Sequence, residues 1–205
     1  MNTQKKGNIF IISAASGTGK TTLVSRLLQH NHDIQVSVSH TTRQPREGEI
    51  NGKHYHFVDT AQFEQLIGEA AFLEYANVFG NYYGTTIQGV KTLQEQGYDV
   101  ILEIDVQGAE QVRRALPDAV SIFILPPSLQ VLAERLRGRA TDSAEVVQKR
   151  LNEARNEIEQ SLLFDYLVVN DKLEEAEANL LHIIRSHRLK QSNQKQFIEN
   201  LLENS

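Results

Sequence analysis

Four short stretches of the chain are apolar at consecutive positions, where a half-exposed strand would alternate. They are Asn8-Ile-Phe-Ile-Ile12, Asp99-Val-Ile-Leu-Glu-Ile-Asp105, Val120-Ser-Ile-Phe-Ile-Leu125 and Tyr166-Leu-Val-Val169. Runs of this length and β-branched content predict strands buried on both faces of a parallel sheet. The pattern between them changes period. Leu23, Val24, Leu27 and Leu28 fall at helical spacing after the first strand. Leu129, Leu132 and Leu136 do so after the third, with Ser128 as a predicted N-cap and Gly138 as the stop. A charged helix is expected over 144–160. More helix is expected after Asn170-Asp171, with a thinly apolar tail beyond Arg188. Strands alternating with helices predict an α/β domain.

The stretch from Val36 to Gly89 departs from this rhythm. Val36-Ser-Val-Ser39 alternates, Thr41 to Glu49 is a polar loop, and His54-Tyr-His-Phe-Val58 alternates again. Asn51-Gly52 between them predicts a hairpin turn, and Phe63, Leu66 and Ile67 predict a short helix. The expectation is a small β-rich lobe inserted into the α/β core.

Composition narrows the function. With 205 residues, 40% hydrophobic and 23% charged, the chain can bury a real core and is too apolar to be disordered. The absence of Cys excludes a disulfide scaffold, a thiolate metal site and a Cys nucleophile. A formal charge of −5 argues against a general nucleic-acid binder. No apolar run reaches membrane-spanning length, and the polar opening Met-Asn-Thr-Gln-Lys-Lys-Gly does not look like a secretory signal. A soluble cytoplasmic domain is expected.

The strongest chemical signal is Ala14-Ala-Ser-Gly-Thr-Gly-Lys-Thr21, between a buried strand and a helix. It departs from the phosphate-loop pattern G-x-x-x-x-G-K-[ST] only at Ala14. Gly17 and Gly19 let successive N–H groups converge on an anion, and the helix N-terminus adds its dipole. Lys20 is placed to reach β- and γ-phosphates, and the Thr21 hydroxyl to ligate Mg²⁺. Other groups are ambiguous by themselves. Arg43 and Arg46, in a loop stiffened by Pro45, suit a bidentate phosphate grip, yet Glu47 and Glu49 nearly cancel them and a solvated loop fits better. Glu103 and Asp105 share a strand face and fit a magnesium-shell role or a satisfied strand terminus equally. Arg135 and Arg139, with Arg150 beyond, fit either a helix-dipole role or phosphoryl neutralisation. His54 and His56 fit packing or surface better than metal binding.

The order of further motifs resembles the guanylate kinase family, a branch of the nucleoside monophosphate kinases. The motifs are Ser37-Val-Ser-His-Thr-Thr-Arg-Gln-Pro-Arg-Glu-Gly-Glu49, Gly52-x-x-Tyr55-x-Phe57, Phe72-Leu-Glu-Tyr75 and Gly80-Asn-Tyr-Tyr-Gly-Thr85. Ile104-Asp-Val-Gln-Gly108, Ile124-Leu-Pro-Pro-Ser128, Arg135-Leu-Arg-Gly-Arg139 and Val169-Asn-Asp171 continue the resemblance, over residues 7 to 188.

The resemblance implies a P-loop NTPase fold. Its three-layer parallel-sheet core would comprise residues 1–36, 90–136 and, with a C-terminal helix, 161–205. It would carry a GMP-binding lobe over 37–89 and a small helical lid over 137–160. ATP and GMP are the implied substrates and Mg²⁺ the implied cofactor, with no nucleic acid, membrane or obligate protein partner.

The resemblance also implies roles. Residues Ala14 to Thr21 (Ala14, Ala15, Ser16, Gly17, Thr18, Gly19, Lys20 and Thr21), with Arg135, Arg139 and Asn170, would bind ATP, and Thr21 the metal. Arg43, Arg46, Tyr55 and Tyr83 would hold the GMP phosphate, while Ser39, Glu74, Thr85 and Asp105 would read guanine. Lys20, Arg43, Arg139 and Arg150 would carry the catalysis. Ala14, Glu103 and Ala140 depart from the commoner family pattern. Two rivals stand beside this reading: a sugar-phosphate kinase, which has no need of the guanine-reading set, and a non-catalytic peptide-binding module, which has no need of the phosphate loop. A P-loop nucleic-acid motor fits neither the length nor the charge.

Overall fold

Strand β1 (Ile9–Ala14) buries Phe10 and Ile12 towards one face of the main sheet and Ile9 and Ile11 towards the other. That two-sided burial places it at the centre. The computed structural model describes residues 6–78, 80–137 and 144–203. Within them β1 lies between β7 (Asp99–Glu103) and β8 (Val120–Leu125). The outer strands are β2 (Ile34–Val36) and β9 (Tyr166–Val169), and all five are parallel. Helices α1 (Lys20–His30) and α7 (Leu173–Arg188) cover the Phe10 face through Leu23, Val24, Leu27, Leu180 and Ile184. Helices α3 (Ile87–Glu95) and α4 (Val106–Ala115) cover the other through Val90, Ala109 and Val112. The result is the three-layer parallel core expected. The predicted fourth strand, β9, is an edge strand in which only Val168 is buried.

A second sheet, of order β4-β3-β6-β5, belongs to the β-rich segment. It is built from β3 (His40–Thr41), β4 (His56–Phe57), β5 (Phe72–Val78) and β6 (Asn81–Thr86). The hairpin predicted at Asn51-Gly52 does not form. β3 and β4 run parallel, with His40 opposite His56 and Thr41 opposite Phe57. Gly52 takes φ +77°, its amide donates to the Tyr55 carbonyl at 2.8 Å, and Asn51 Oδ1 accepts from the Phe57 amide at 2.9 Å. The turn therefore closes on itself within four residues, and the chain re-enters the sheet in its original direction. The antiparallel pairs in the lobe are β3–β6 and β5–β6.

The lobe has its own small core. Helix α2 (Thr60–Gly68) starts at a capping box made by Asp59 and Gln62 and buries Phe63 completely. The Phe63 ring stacks between Phe72 (centroids 4.4 Å apart) and Tyr82 (5.1 Å). Gly84 in β6 leaves room for this stack, since a Cβ there would come within 2.9 Å of the Phe72 ring. On the Ile11 face of the main sheet, with α4, α5 (Leu129–Arg137) starts at Ser128, whose Oγ accepts from the Val131 amide at 3.1 Å. It packs with α6 (Ala144–Gln160) through Leu132, Leu136, Val147 and Ala154. A single 3₁₀ turn (Ser161–Leu163) leads into β9, and α8 (Gln191–Glu203) closes the described chain. Among the described residues no helix is long and apolar enough to cross a membrane.

Removing the Phe63 ring leaves a void between two aromatic neighbours. Phe63→Ala should destabilise the protein by roughly 3–5 kcal/mol. Hydrogen exchange should locate the loosening in β5 and β6, with β1 and β7 still protected; uniform loosening would contradict a separate lobe core.

Candidate functional site

The sequence after β1 cannot continue as strand, because Gly17 and Gly19 both take φ +90°. Gly17 lies against α5, where a Cβ would meet Leu136 at 2.8 Å, and a Cβ on Gly19 would meet Asn170 Nδ2 at 2.8 Å. Only glycine satisfies both the backbone and the space. Between them Thr18 is buried, and its amide and hydroxyl both donate to the Ala15 carbonyl. The loop passes directly into α1 at Lys20, so its amides and the helix N-terminus face the same space.

That space is a cleft of about 420 Å³ at the carboxyl ends of β1 and β7. Ligands of open α/β sheets bind at such strand ends. Residues 14–21 form one wall, and Ser39, Arg46, Tyr55, Glu74 and Tyr83 from the lobe form the facing wall. Glu103 and Asp105 form the floor, and Arg150 and Glu157 of α6 close a third side.

Several predicted residues stand outside this lining. Thr85 is fully buried, with Oγ1 3.2 Å from Ser39 Oγ. Arg135 and Asn170 lie behind the loop: Arg135 donates to the Thr18 and Asn170 carbonyls (3.3 and 3.1 Å), and Asn170 Nδ2 donates to the Thr18 carbonyl at 2.7 Å. Arg43 is folded back onto Glu49 at 2.8 Å, with its guanidinium 5.5 Å from the Tyr55 ring centroid. The other Glu49 oxygen accepts from the Arg46 amide at 2.7 Å. The hydrogen bond from Arg43 is the largest influence holding Glu49 below the usual carboxylate range. Arg139 and Ala140 lie outside the described residues. His54 turns Nδ1 to the Ile50 amide, and His56 stacks on His40 with centroids 4.6 Å apart.

Electrostatics sort the groups that remain. Lys20 donates to the Ile104 carbonyl at 3.2 Å. Burial lowers its pKa, opposed in turn by Glu103, Asp105, Glu157 and Glu74. The Thr21 hydroxyl donates to Glu103 Oε1 at 2.6 Å. Asp105 caps α4 by accepting from the Gly108 amide at 2.8 Å. A Cβ on Gly108 would sit 2.4 Å from Glu74 Oε2, so this glycine makes room for the Glu74 carboxylate. Glu74 is only 4% exposed, and burial pushes its pKa up to about 7.

Glu157 and Glu49 are the functional candidates that sequence reasoning passed over. Glu157 stands seven residues after Arg150, hence on the same face of α6, and that spacing was the available signal. In the sequence alone Glu49 is only a charge opposite Arg43 and Arg46.

The sequence model of the guanylate kinase family matches residues 6–187. The guanylate kinase of Neisseria gonorrhoeae is 69% identical over the full length of both chains. That of Chromobacterium violaceum is 51% identical over 93% of this chain and 91% of its own. The crystal structure of guanylate kinase from Anaplasma phagocytophilum superposes with a TM-score of 0.76 at 34% identity, covering 92% of this chain and 89% of the other. The chain belongs to the guanylate kinase family. Within this guanylate kinase fold, the lobe wall and the phosphate loop face each other across one cleft, with a buried acid on the lobe side and amides and a lysine on the other.

The raised pKa of Glu74 has a consequence for the free protein. Its value in the fold exceeds the ordinary 4.5, so its stabilising contribution is complete below about pH 4.5 and is lost as pH rises through about 7. Glu74→Gln should therefore stabilise the ligand-free protein at pH 8 by up to about 3 kcal/mol and change it little at pH 4.5. Urea unfolding at the two pH values checks this; an equal effect at both would refute it.

Proposed function

We propose that this chain transfers the γ-phosphoryl group of ATP to GMP or dGMP, giving ADP and GDP or dGDP, and that it works in the cytoplasm. The observation that carries the reading is Glu74: a buried carboxylate across a 420 Å³ cleft from a phosphate loop. A carboxylate accepts hydrogen bonds, and guanine offers N1–H and an exocyclic N2 amine as adjacent donors. Ser39 and Thr85 supply hydroxyls for O6, and Asp105 a second acid. Adenine would present the acceptor N1 to Glu74 and leave a buried charge unpaired, which is costly.

ATP would lie with its phosphates on residues 14–21, Lys20 reaching the β- and γ-phosphates. The GMP phosphate would be held by Arg43, Arg46, Tyr55 and Tyr83. Arg43 must then leave Glu49, exchanging one anionic partner for another. The acceptor oxygen of GMP attacks the γ-phosphorus in line; a new P–O bond forms, the bond to the β-phosphate oxygen breaks, and ADP leaves. The acceptor is already anionic, so no side chain has to remove a proton and no covalent enzyme intermediate is needed. Catalysis is positioning and charge neutralisation, with Lys20 and Arg150 on the transferring group.

The paired oxygens of Thr21 and Glu103 suit a hard cation that keeps several waters, so these two residues would hold the Mg²⁺ accompanying ATP, which would neutralise charge on the phosphate oxygens. The residue 103 carboxylate reaches the Thr21 hydroxyl directly, so Glu in place of the family's commoner Asp leaves the oxygen pair formed.

A panel of monophosphate acceptors with ATP tests the reading. GMP and dGMP should turn over, and AMP should be disfavoured by about 10⁴-fold in kcat/KM; comparable turnover of AMP, CMP or UMP would exclude it. Lys20→Met should abolish ADP production in a coupled assay without lowering the melting temperature. Glu74→Ala should raise KM for GMP far more than KM for ATP.

A further inference from the structure

Phosphoryl transfer calls for cations around the phosphates, yet Glu157 places a carboxylate against the phosphate loop. Its Oε2 accepts from the Ser16 amide at 3.2 Å, and the carboxylate lines the same cleft as Lys20, Asp105 and Arg150. Burial raises the pKa of Glu157, and the Ser16 amide is the strongest influence opposing that. Beside two polyphosphate substrates, such a group needs a structural reason.

The reason lies in α6. Val147, Leu151, Ala154 and Ile158 form its apolar stripe, packed with α5 and with Ala15 of the loop. Arg150 and Glu157 lie beside that stripe, two helical turns apart on one face. Both reach Ser16: Arg150 donates to its hydroxyl at 3.0 Å, and Glu157 accepts from its amide at 3.2 Å. One loop residue is thus held at two atoms by one helix. Arg150 must turn to phosphate during the reaction, whereas Glu157 keeps the Ser16 amide and leaves the phosphates to the loop amides that follow it.

We propose that Glu157 is a positioning residue for phosphoryl transfer: by holding the Ser16 amide it keeps α6 registered on the phosphate loop, so that Arg150 is aimed at the transferring group when it leaves Ser16. This rests on the guanylate kinase reading above. It assigns Glu157 no contact with substrate and no proton. Its effect runs through Arg150 and the loop backbone.

The test uses Glu157→Ala, Glu157→Gln and Arg150→Ala, alone and combined, in the full chain. Turnover of GMP by the unaltered protein is measured first and decides the reading above independently. Glu157→Ala should then lower kcat by about tenfold to a hundredfold, the range for small misplacements in a reacting site, with KM for GMP unchanged within about twofold. Glutamine keeps an oxygen acceptor for the amide, so Glu157→Gln should stay within about threefold of the parent. In the Arg150→Ala background Glu157→Ala should cost much less than in the parent, because the residue it aims is already gone. Hydrogen exchange of the Ser16 amide should speed up in Glu157→Ala and not in Glu157→Gln, a readout independent of activity and available even if turnover is lost. Equal impairment of the Gln and Ala variants would show that charge matters and not the held amide, and would overturn the proposal. So would an unchanged kcat in Glu157→Ala, or a full additional loss in the Arg150→Ala background.

Discussion

Everything at this site depends on the backbone of residues 14–21 holding an unfavourable shape. Two residues at φ +90° and a run of amides facing one space have no hydrogen-bonding ladder of their own. The shape is imposed from outside by neighbours drawn from the rest of the sequence. The Thr18 carbonyl is held from behind by Asn170 and Arg135, Gly17 is pressed by Leu136, and Ser16 is held in front by Arg150 and Glu157. Those residues sit at the end of β9 and on α5 and α6, more than a hundred positions away. The elements after residue 120 therefore complete an anion cradle whose own sequence supplies its glycines and the Thr18 bonds to the Ala15 carbonyl. The loop is preorganised because several distant elements converge on it, and preorganised donors are worth most in phosphoryl transfer.

The lobe solves a different problem with a different device. A buried carboxylate such as Glu74 costs free energy unless something fills its acceptor sites. Gly108 opens a space for it, Asp105 is tied up as the cap of α4, and the Phe63 ring stacks on Phe72 of β5 and Tyr82 of β6. On the proposed reading, a base with two donors fills the acceptor sites of Glu74 and an acceptor-bearing base does not.

How far this was readable from the sequence varies with the range of the forces involved. The core strands and the phosphate loop were legible because they are local: consecutive apolar residues from Ile9 to Ile12, then glycines before Lys20. The α/β class followed from strand and helix alternation, and the three-layer arrangement from the family resemblance. The hairpin at Asn51-Gly52 was misjudged. The dipeptide does make a tight turn, but side-chain bonds from Asn51 and His54 close it on itself, and local propensity carries no information on strand direction. Glu49 and Glu157 were missed for one shared reason. A carboxylate six residues after Arg43, or seven after Arg150, looks like surface charge until folding shows which atom it meets. Asn170 and Arg135 were visible as candidates, but only the structure shows that they hold the loop from behind.

The net charge of −5 now acquires a local meaning. A cleft meant to gather two phosphorylated substrates has to hold cations close together before either arrives, and those cations repel. Here carboxylates keep them apart and in place: Glu49 on Arg43, Glu103 on Thr21 beside Lys20, and Glu157 on the loop beside Arg150. On the proposed reading, phosphate binding at Arg43 is then an exchange of one anion for another, and its free energy is a difference between two good partnerships. Such a difference is smaller than either partnership alone, which favours release of product as much as capture of substrate. An excess of acidic residues is thus no obstacle to anion chemistry: the carboxylates hold the cationic site in form while it is empty.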